Sequence, residues 1–156
     1  MKLSTRARYA LRMMVAVARE SDGKRPISLR HVSKSTMISR RYLEQVATGL
    51  KHAELVRSIS GRAGGYLLNR PADEISLLQI VEAAIGPINV VQCVLEPDEC
   101  LKADLCECRY VYRLINDGIR DLLEGLSLED VADRPWARSA CHALEPAQQG
   151  CPTSGT

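Results

Sequence analysis

Six cysteines in the second half of the chain have the clearest chemical potential. Three of them, Cys93, Cys100 and Cys106, are separated by six and then five residues. Thiolates are soft ligands for zinc and for iron–sulphur clusters, so a loop with three spaced thiolates predicts a metal centre. The alternative is a set of free, reactive thiols. A disulfide framework belongs to small secreted domains, and the N-terminal apolar stretch, which Arg12 interrupts, does not predict a signal peptide.

The other three cysteines are weaker candidates for ligands. Cys108 is the nearest spare thiol, but in a helix its side chain would point about 200° away from that of Cys106. It therefore ligates only if this stretch is not yet helical. Cys141 and Cys151 lie in a polar C-terminal stretch and are interpreted as surplus thiols.

The charges are divided unevenly along the chain. Residues 1–70 contain 15 lysines and arginines against four acids, whereas residues 71–156 contain six against 15. The net charges are therefore +11 and −9. This split indicates a basic half that meets a polyanion and a second half that does not. The alternative is a mixed, solvated surface.

Apolar spacing and serine caps predict the elements that carry these residues. Two short helices joined by a tight turn form a helix-turn-helix pattern, and the apolar positions of the first include Met37. A hairpin follows, with strands at 55–60 and 66–68, a turn at 61–65, and the character of a wing. The predicted helices run from about residue 4 to 19, 28 to 35, 40 to 52, 77 to 85 and 107 to 125.

The last of these helices has the strongest amphipathic pattern. Val111, Leu114, Ile115, Ile119 and Leu122 recur at spacings of three and four with charges between them. Such a stripe on a late helix is typical of pairing with its own copy in a homodimer. The alternative is packing inside the same chain.

Several runs of sequence resemble the IscR-type winged-helix transcription regulators, many of which carry iron–sulphur clusters. These are MKLSTRARYALRMMVAVA, SRRYLEQVATGLKHAELVRSISGRAGGYLL, and SLLQIVEAAIG followed by the spaced cysteines. The resemblance covers about residues 1–132. It implies a mainly α fold with a small β-hairpin wing, namely a winged helix-turn-helix plus a long C-terminal dimerisation helix.

The N-terminal end of the recognition helix is the predicted reader of DNA. Arginine pairs with guanine, glutamine with adenine, and a carboxylate accepts from cytosine, although Glu44 could instead pair with Arg40 or Arg41 on the helix face. The resemblance favours base reading by Glu44. It also places the wing arginine of known members at Ser60, so Arg62 is the candidate substitute. The predicted DNA-binding residues are Ser39, Arg40, Arg41, Glu44 and Gln45 of the helix, Arg57, Ser60 and Arg62 of the wing, and Thr5, Arg6 and Arg8 of the first helix.

The resemblance also favours an iron–sulphur cluster over zinc, with [2Fe–2S] ahead of [4Fe–4S]. One branch of the family supplies the fourth ligand from a histidine, at the position of Arg109 here. Another branch uses an acid of the partner subunit, at the position of Arg8. Neither arginine offers a lone pair to a metal, so Cys108, a tail thiol, the other subunit or an exogenous group is expected to complete the site.

We expect a cytoplasmic homodimer that binds a palindromic DNA operator under the control of the cluster. The alternatives are a cluster-free thiol or zinc sensor and a regulator that acts through a partner protein. No feature predicts an enzyme, a membrane segment or a small-molecule substrate. The expected divisions are a DNA-binding domain at 1–86, a cysteine-rich sensor loop at 87–106, a dimerisation helix at 107–132 and a flexible tail at 133–156.

Overall fold

The computed structural model describes residues 3–21, 25–96 and 106–133. Within these ranges the chain forms seven α-helices, a short 3-10 helix at Ala72–Glu74 and one antiparallel hairpin. The helices are α1 (Thr5–Glu20), α2 (Leu29–Thr36), α3 (Arg40–His52), α4 (Leu77–Ile85), α5 (Gln92–Leu95), α6 (Glu107–Glu124) and α7 (Leu128–Ala132), and the strands are β1 (Val56–Ile59) and β2 (Gly65–Leu68).

Serine caps set the starts of five helices. The side-chain oxygens of Ser4, Ser28, Ser39, Ser76 and Ser127 each accept the backbone N–H three residues later. A cap of this kind contributes about 1 kcal/mol because it satisfies a donor that the helix itself leaves open. The mainly α winged helix-turn-helix fold that the sequence predicts is confirmed.

The core is built around α1, which packs against α2, α3, α4 and α7. Met13 and Met14 of α1 are both fully buried, together with Leu43, Ile80 and Leu128. Because α1 has neighbours on several sides, its buried surface is wider than one stripe and includes both of these methionines.

The turn between α2 and α3 differs from the prediction. Met37 ends α2 with φ 58° and ψ 27°, in the left-handed region. Its side chain is 87% exposed, so the prediction that Met37 belongs to the apolar face of α2 is wrong. The left-handed turn reverses the chain and brings Ile38, rather than Met37, into the core.

The wing consists of β1, β2 and the turn between them. Val56 pairs with Leu68 and Ile59 with Gly65, and Ile27 forms a bridge to Tyr66 on the outer side of β2. A Cβ at position 65 would lie 2.3 Å from the carbonyl oxygen of Ile27. Glycine is therefore needed where the bridge and the hairpin meet.

The chain leaves the core after α4 and returns to it at α7. Near the return, the N–H of Leu77 donates to the carbonyl of Leu126, and the N–H of Leu128 donates to that of Ile75. The predicted sensor loop at 87–106 contains α5, and the predicted tail lies outside the described residues from 134 onward. Among the described helices, none is both long and apolar enough to span a membrane.

Candidate nucleic-acid interface and cysteine segment

The first two turns of α3 carry the predicted base-reading residues on the surface. Ser39 caps the helix, and the four candidates Arg40, Arg41, Glu44 and Gln45 are all exposed. The opposite face of α3 is anchored in the core through Leu43, Val46 and Leu50, among others. The helix is thereby held firmly while its polar N-terminal end faces outward.

Glu44 and Arg40 form an ion pair in the free protein. The Arg40 Nε donates to Glu44 Oε1 at 3.0 Å, and both side chains are at least half exposed. An exposed pair with this spacing contributes only a few tenths of a kcal/mol. Exchange of either partner for a base edge therefore costs little, and the pair is compatible with both roles considered for Glu44.

A groove of about 540 Å³ separates α3 from the wing. Six of the side chains that line it are Arg30, Arg40, Glu44, Ser58, Arg62 and Tyr66. Burial, followed by the nearby Glu44 carboxylate, raises the pKa of the Tyr66 phenol. Tyr66 therefore keeps its proton and its ability to donate a hydrogen bond into this groove.

The groove distinguishes among the predicted wing residues. Arg62 lines it, whereas Arg57 and Ser60 are exposed without lining it. Sequence reasoning missed Arg30 and Tyr66. The signal for Arg30 was its place just after the Ser28 cap, because the first helix of a helix-turn-helix crosses the DNA backbone.

The candidate phosphate contacts of α1 are exposed at its first turn. Arg8 donates to the Thr5 hydroxyl at 3.0 Å. The Arg6 guanidinium extends to within 3.9 Å of the Cβ position at Gly49 of α3. Arg6 thus lies against α3, and the basic surface continues from α3 onto α1.

The cysteine segment, by which we mean residues 87–106, is described at both of its ends. Cys93 lies in α5 and Cys106 is the N-cap of α6; both are half-buried. Cys108 is exposed within the first turn of α6, whereas Cys106 precedes the helix with φ −94° and ψ 100°. The rotation of 100° per residue, which separates two helical side chains, therefore does not apply between these two cysteines. Cys100, together with Cys141 and Cys151, lies outside the described residues.

The donor chemistry of Cys93 and Cys106 fits a soft metal centre, because both are free thiols at the borders of one segment. Across the described residues, no three His, Cys, Asp or Glu side chains form a group that could hold a metal ion. Arg109 is half-buried in α6 and Arg8 is bonded to Thr5. Neither side chain is a ligand.

Two hydrogen bonds attach residues 88 and 90 to the helices on either side, and a third joins those two helices to each other. The N–H of Val90 donates to Asn116 Oδ1 at 3.2 Å, and the N–H of Ile88 donates to Glu82 Oε1 at 3.2 Å. Arg120 donates to the same Glu82 oxygen. Residues 88–90 are therefore bonded to both α4 and α6.

The predicted apolar stripe of α6 is largely exposed. Leu114 is 73% exposed, and the other residues of the apolar face of α6 that we define here are Tyr110, Val111, Ile115 and Leu122. Ile119, which was predicted for the same stripe, is half-buried against Ala7 and its neighbours. Packing within the same chain therefore accounts for one edge of the stripe only.

Comparison with known proteins places the chain among transcription regulators. The family model described as "Rrf2: Iron-dependent Transcriptional regulator" matches residues 3–134. The HTH-type transcriptional regulator CymR of Bacillus subtilis is 37% identical over 132 residues, covering 85% of this chain and 90% of CymR. The HTH-type transcriptional regulator IscR of Sodalis glossinidius is 33% identical over 131 residues, covering 84% and 78%.

Two solved structures show the same fold. CymR, described as the global cysteine regulator of B. subtilis, superposes with a TM-score of 0.69 at 36% identity, covering 85% of this chain and 96% of that one. IscR of T. potens superposes with a TM-score of 0.68 at 25% identity, covering 96% and 94%.

Proposed function

The chain belongs to the Rrf2 family of winged-helix transcription regulators, and from that membership we propose a homodimer whose binding to a specific DNA operator is controlled through its cysteine segment. The exposed N-terminal end of α3 beside the groove is the observation that carries the DNA-binding part. It presents two arginines, a carboxylate and a carboxamide on one rigid helix. This combination can discriminate among base edges.

The basic half of the chain supplies the phosphate contacts. A dimer that neutralises about six phosphates should lose roughly a thousandfold in affinity between 50 and 200 mM salt. Fluorescence anisotropy with a labelled duplex, titrated at several salt concentrations, measures this slope. A flat salt response on every duplex would refute DNA binding by this surface.

Glu44 and Arg41 are proposed to set the sequence preference. Glu44→Ala should change which duplexes bind more than it changes non-specific affinity, because a carboxylate penalises mismatched bases. Arg41→Ala should cost about 1–3 kcal/mol at its base pair if it reads guanine. Selection from a random-sequence library compares each variant with wild type, and Glu129→Ala on α7 is the matched control. An equal loss on all sequences for Glu44→Ala would leave Glu44 with only its structural pairing to Arg40.

The apolar face of α6 is proposed to pair with a second copy of the chain. A homodimer would present two recognition helices to half-sites about one helical turn apart, which is the geometry of a palindromic operator. Within the described residues this face has the largest share of the exposed large apolar side chains. Contiguous exposed apolar surface of this kind marks an interaction site.

Cys93, Cys100 and Cys106 are proposed to hold an iron–sulphur cluster, with [2Fe–2S] preferred. A bound cluster supplies a centre whose charge and oxidation state can change. Each Cys→Ser variant, purified without oxygen and assayed for iron and sulphide per chain, tests the assignment. Iron should be lost in the variants at positions 93, 100 and 106 and kept in at least two of the variants at 108, 141 and 151. Full iron in all three of the former would refute it.

A cluster-free regulator is the second candidate, and the similarity to CymR favours it. CymR is described as a cysteine regulator, and a thiol-based or partner-based response needs no cluster. The visible absorption spectrum of anaerobically purified protein separates the two candidates, since clusters absorb in the visible range whereas zinc and free thiols do not. A colourless protein without iron or sulphide would establish this second candidate.

A further inference from the structure

One buried polar side chain stands out in a helix whose other residues are exposed or half-buried. Asn116 is 2% exposed and is the one buried residue of α6. Its side-chain oxygen accepts the N–H of Val90, a residue 26 positions earlier in the chain. A buried amide oxygen stabilises a structure only while it is paired, so this bond selects one position of residues 88–90 on α6.

The same helix carries one of the proposed ligands. Cys106 is the N-cap of α6, and Asn116 lies ten residues further along, or about 15 Å at 1.5 Å per residue. Val90 precedes Cys93 by three residues. Because a helix is stiff, the bond between Asn116 and Val90 places the segment that carries Cys93 at a defined position relative to Cys106.

A second set of contacts connects residues 88–90 to the DNA-binding unit at residues 1–86. Glu82 of α4 accepts the N–H of Ile88 and the guanidinium of Arg120 on α6. Val81 and Ala84 on the same helix are buried, and α4 packs against α1 and α3. Displacement of residues 88–90 would therefore disturb hydrogen bonds to the recognition-helix unit and to α6 together.

The segment also contains an unsatisfied group. Asn89 Oδ1 is buried without a hydrogen-bond partner, the one such side-chain atom in the described part of the chain. An unpaired buried acceptor disfavours the conformation that contains it. The seated position of residues 88–90 therefore depends on the bonds from Asn116 and Glu82.

We propose that Asn116 and Glu82 are positioning residues that seat residues 88–90 between α6 and α4, so that a change at Cys93 and Cys106 is transmitted to the DNA-binding unit. This inference rests on the proposed function for its sensor role. The position of residues 88–90 between α6 and α4, which we call their seating, is a property of the metal-free chain and can be measured without a cluster.

Amide hydrogen exchange followed by NMR on the full, metal-free chain tests the seating. In Asn116→Leu, which keeps the branched shape of the side chain but removes the acceptor, the Val90 amide should exchange at least tenfold faster than in wild type. Asn116→Asp keeps an acceptor and should restore protection. Asn116→Ala provides a second acceptor-free variant if the leucine does not fold. Asp117→Ala, which removes only the exposed pairing of Asp117 with Arg113 on the same helix, should leave the exchange rate of the Val90 amide unchanged.

Iron retention and DNA affinity then test the transmission. Anaerobically loaded Asn116→Leu should lose iron to a chelator several times faster than wild type. The ratio of DNA affinities with and without iron should move towards one in this variant. Unchanged Val90 exchange in Asn116→Leu overturns the proposal, as does an equal effect of Asp117→Ala. If wild type takes up no iron and sulphide, the cluster assignment fails, and the Val90 exchange rates still decide the seating.

Discussion

Replacing Met37 and Glu54 by glycine should stabilise the protein. Both residues have a left-handed backbone, with φ of 58° and 55°. Met37 ends α2, and Glu54 follows the last turn of α3, where the N–H of Leu55 donates to the carbonyl of Leu50. This bonding is typical of a helix end at which glycine is preferred.

The magnitude follows from two opposing contributions. A left-handed conformation costs an ordinary L-residue about 1–2 kcal/mol, and glycine loses about 0.5–1 kcal/mol of extra chain entropy on folding. Each substitution should therefore raise the free energy of unfolding by up to about 1.5 kcal/mol. The two sites flank α3, whose 13 residues span about 20 Å. Their effects should add in the double variant.

Urea unfolding followed by circular dichroism measures the change. The midpoint should rise while the slope m stays constant. Ala53→Gly is the matched control, because Ala53 adjoins Glu54 but has φ −82°, and this change should lower stability by about 0.5–1 kcal/mol. If Met37→Gly and Glu54→Gly lower stability as Ala53→Gly does, the positive φ angles carry no strain and the reasoning is refuted.

Three further outcomes are expected. Gly49→Ala would place a Cβ 2.6 Å from the carbonyl oxygen of Ala83, so it should cost about 1–3 kcal/mol in urea unfolding by forcing α3 away from α4. The pKa of Asp130 is lowered by hydrogen bonds from the Ser127 hydroxyl and N–H, and its contribution to stability is lost as pH falls through the folded-state pKa; Asp130→Asn should therefore flatten the acid loss of stability below about pH 4. Leu114→Lys should shift sedimentation equilibrium towards monomer while the helical circular dichroism stays unchanged, and a dimer of wild-type strength would contradict the α6 interface.

The helix starts were predictable because their signals are local. A serine just before a run of regularly spaced apolar residues caps the helix that the run forms. The predicted bounds of α3 and α4 therefore agree with the structure. The conformation of Met37 depends instead on how α2 and α3 meet. Its apolar side chain looks the same in sequence whether the backbone turns left-handed or continues the helix.

The candidate site was predictable in part for the same reason. The polar residues of α3 follow from their place after a cap, whereas the groove requires the packing of the wing against that helix, and this packing brought in Arg30 and Tyr66. An asparagine within an amphipathic helix gives no sign that it binds a backbone 26 residues away. The apolar residues of α6 have the same spacing whether they pack against the core of their own chain or against a second copy, so the spacing alone does not distinguish the two.

The pairing of Ile75 and Leu77 with the turn before α7 has a consequence for protein engineering. Leu128 is fully buried in the main core, and Ile88 closes the smaller cluster beside it. The stretch between α4 and α7, which carries the cysteines, is therefore fixed at both of its ends by separate contacts. Because loop-closure entropy grows only slowly with length, this stretch could be replaced by one of different length or chemistry between the same two fixed ends. The DNA-binding unit at residues 1–86 would then be able to carry sensor segments of different kinds.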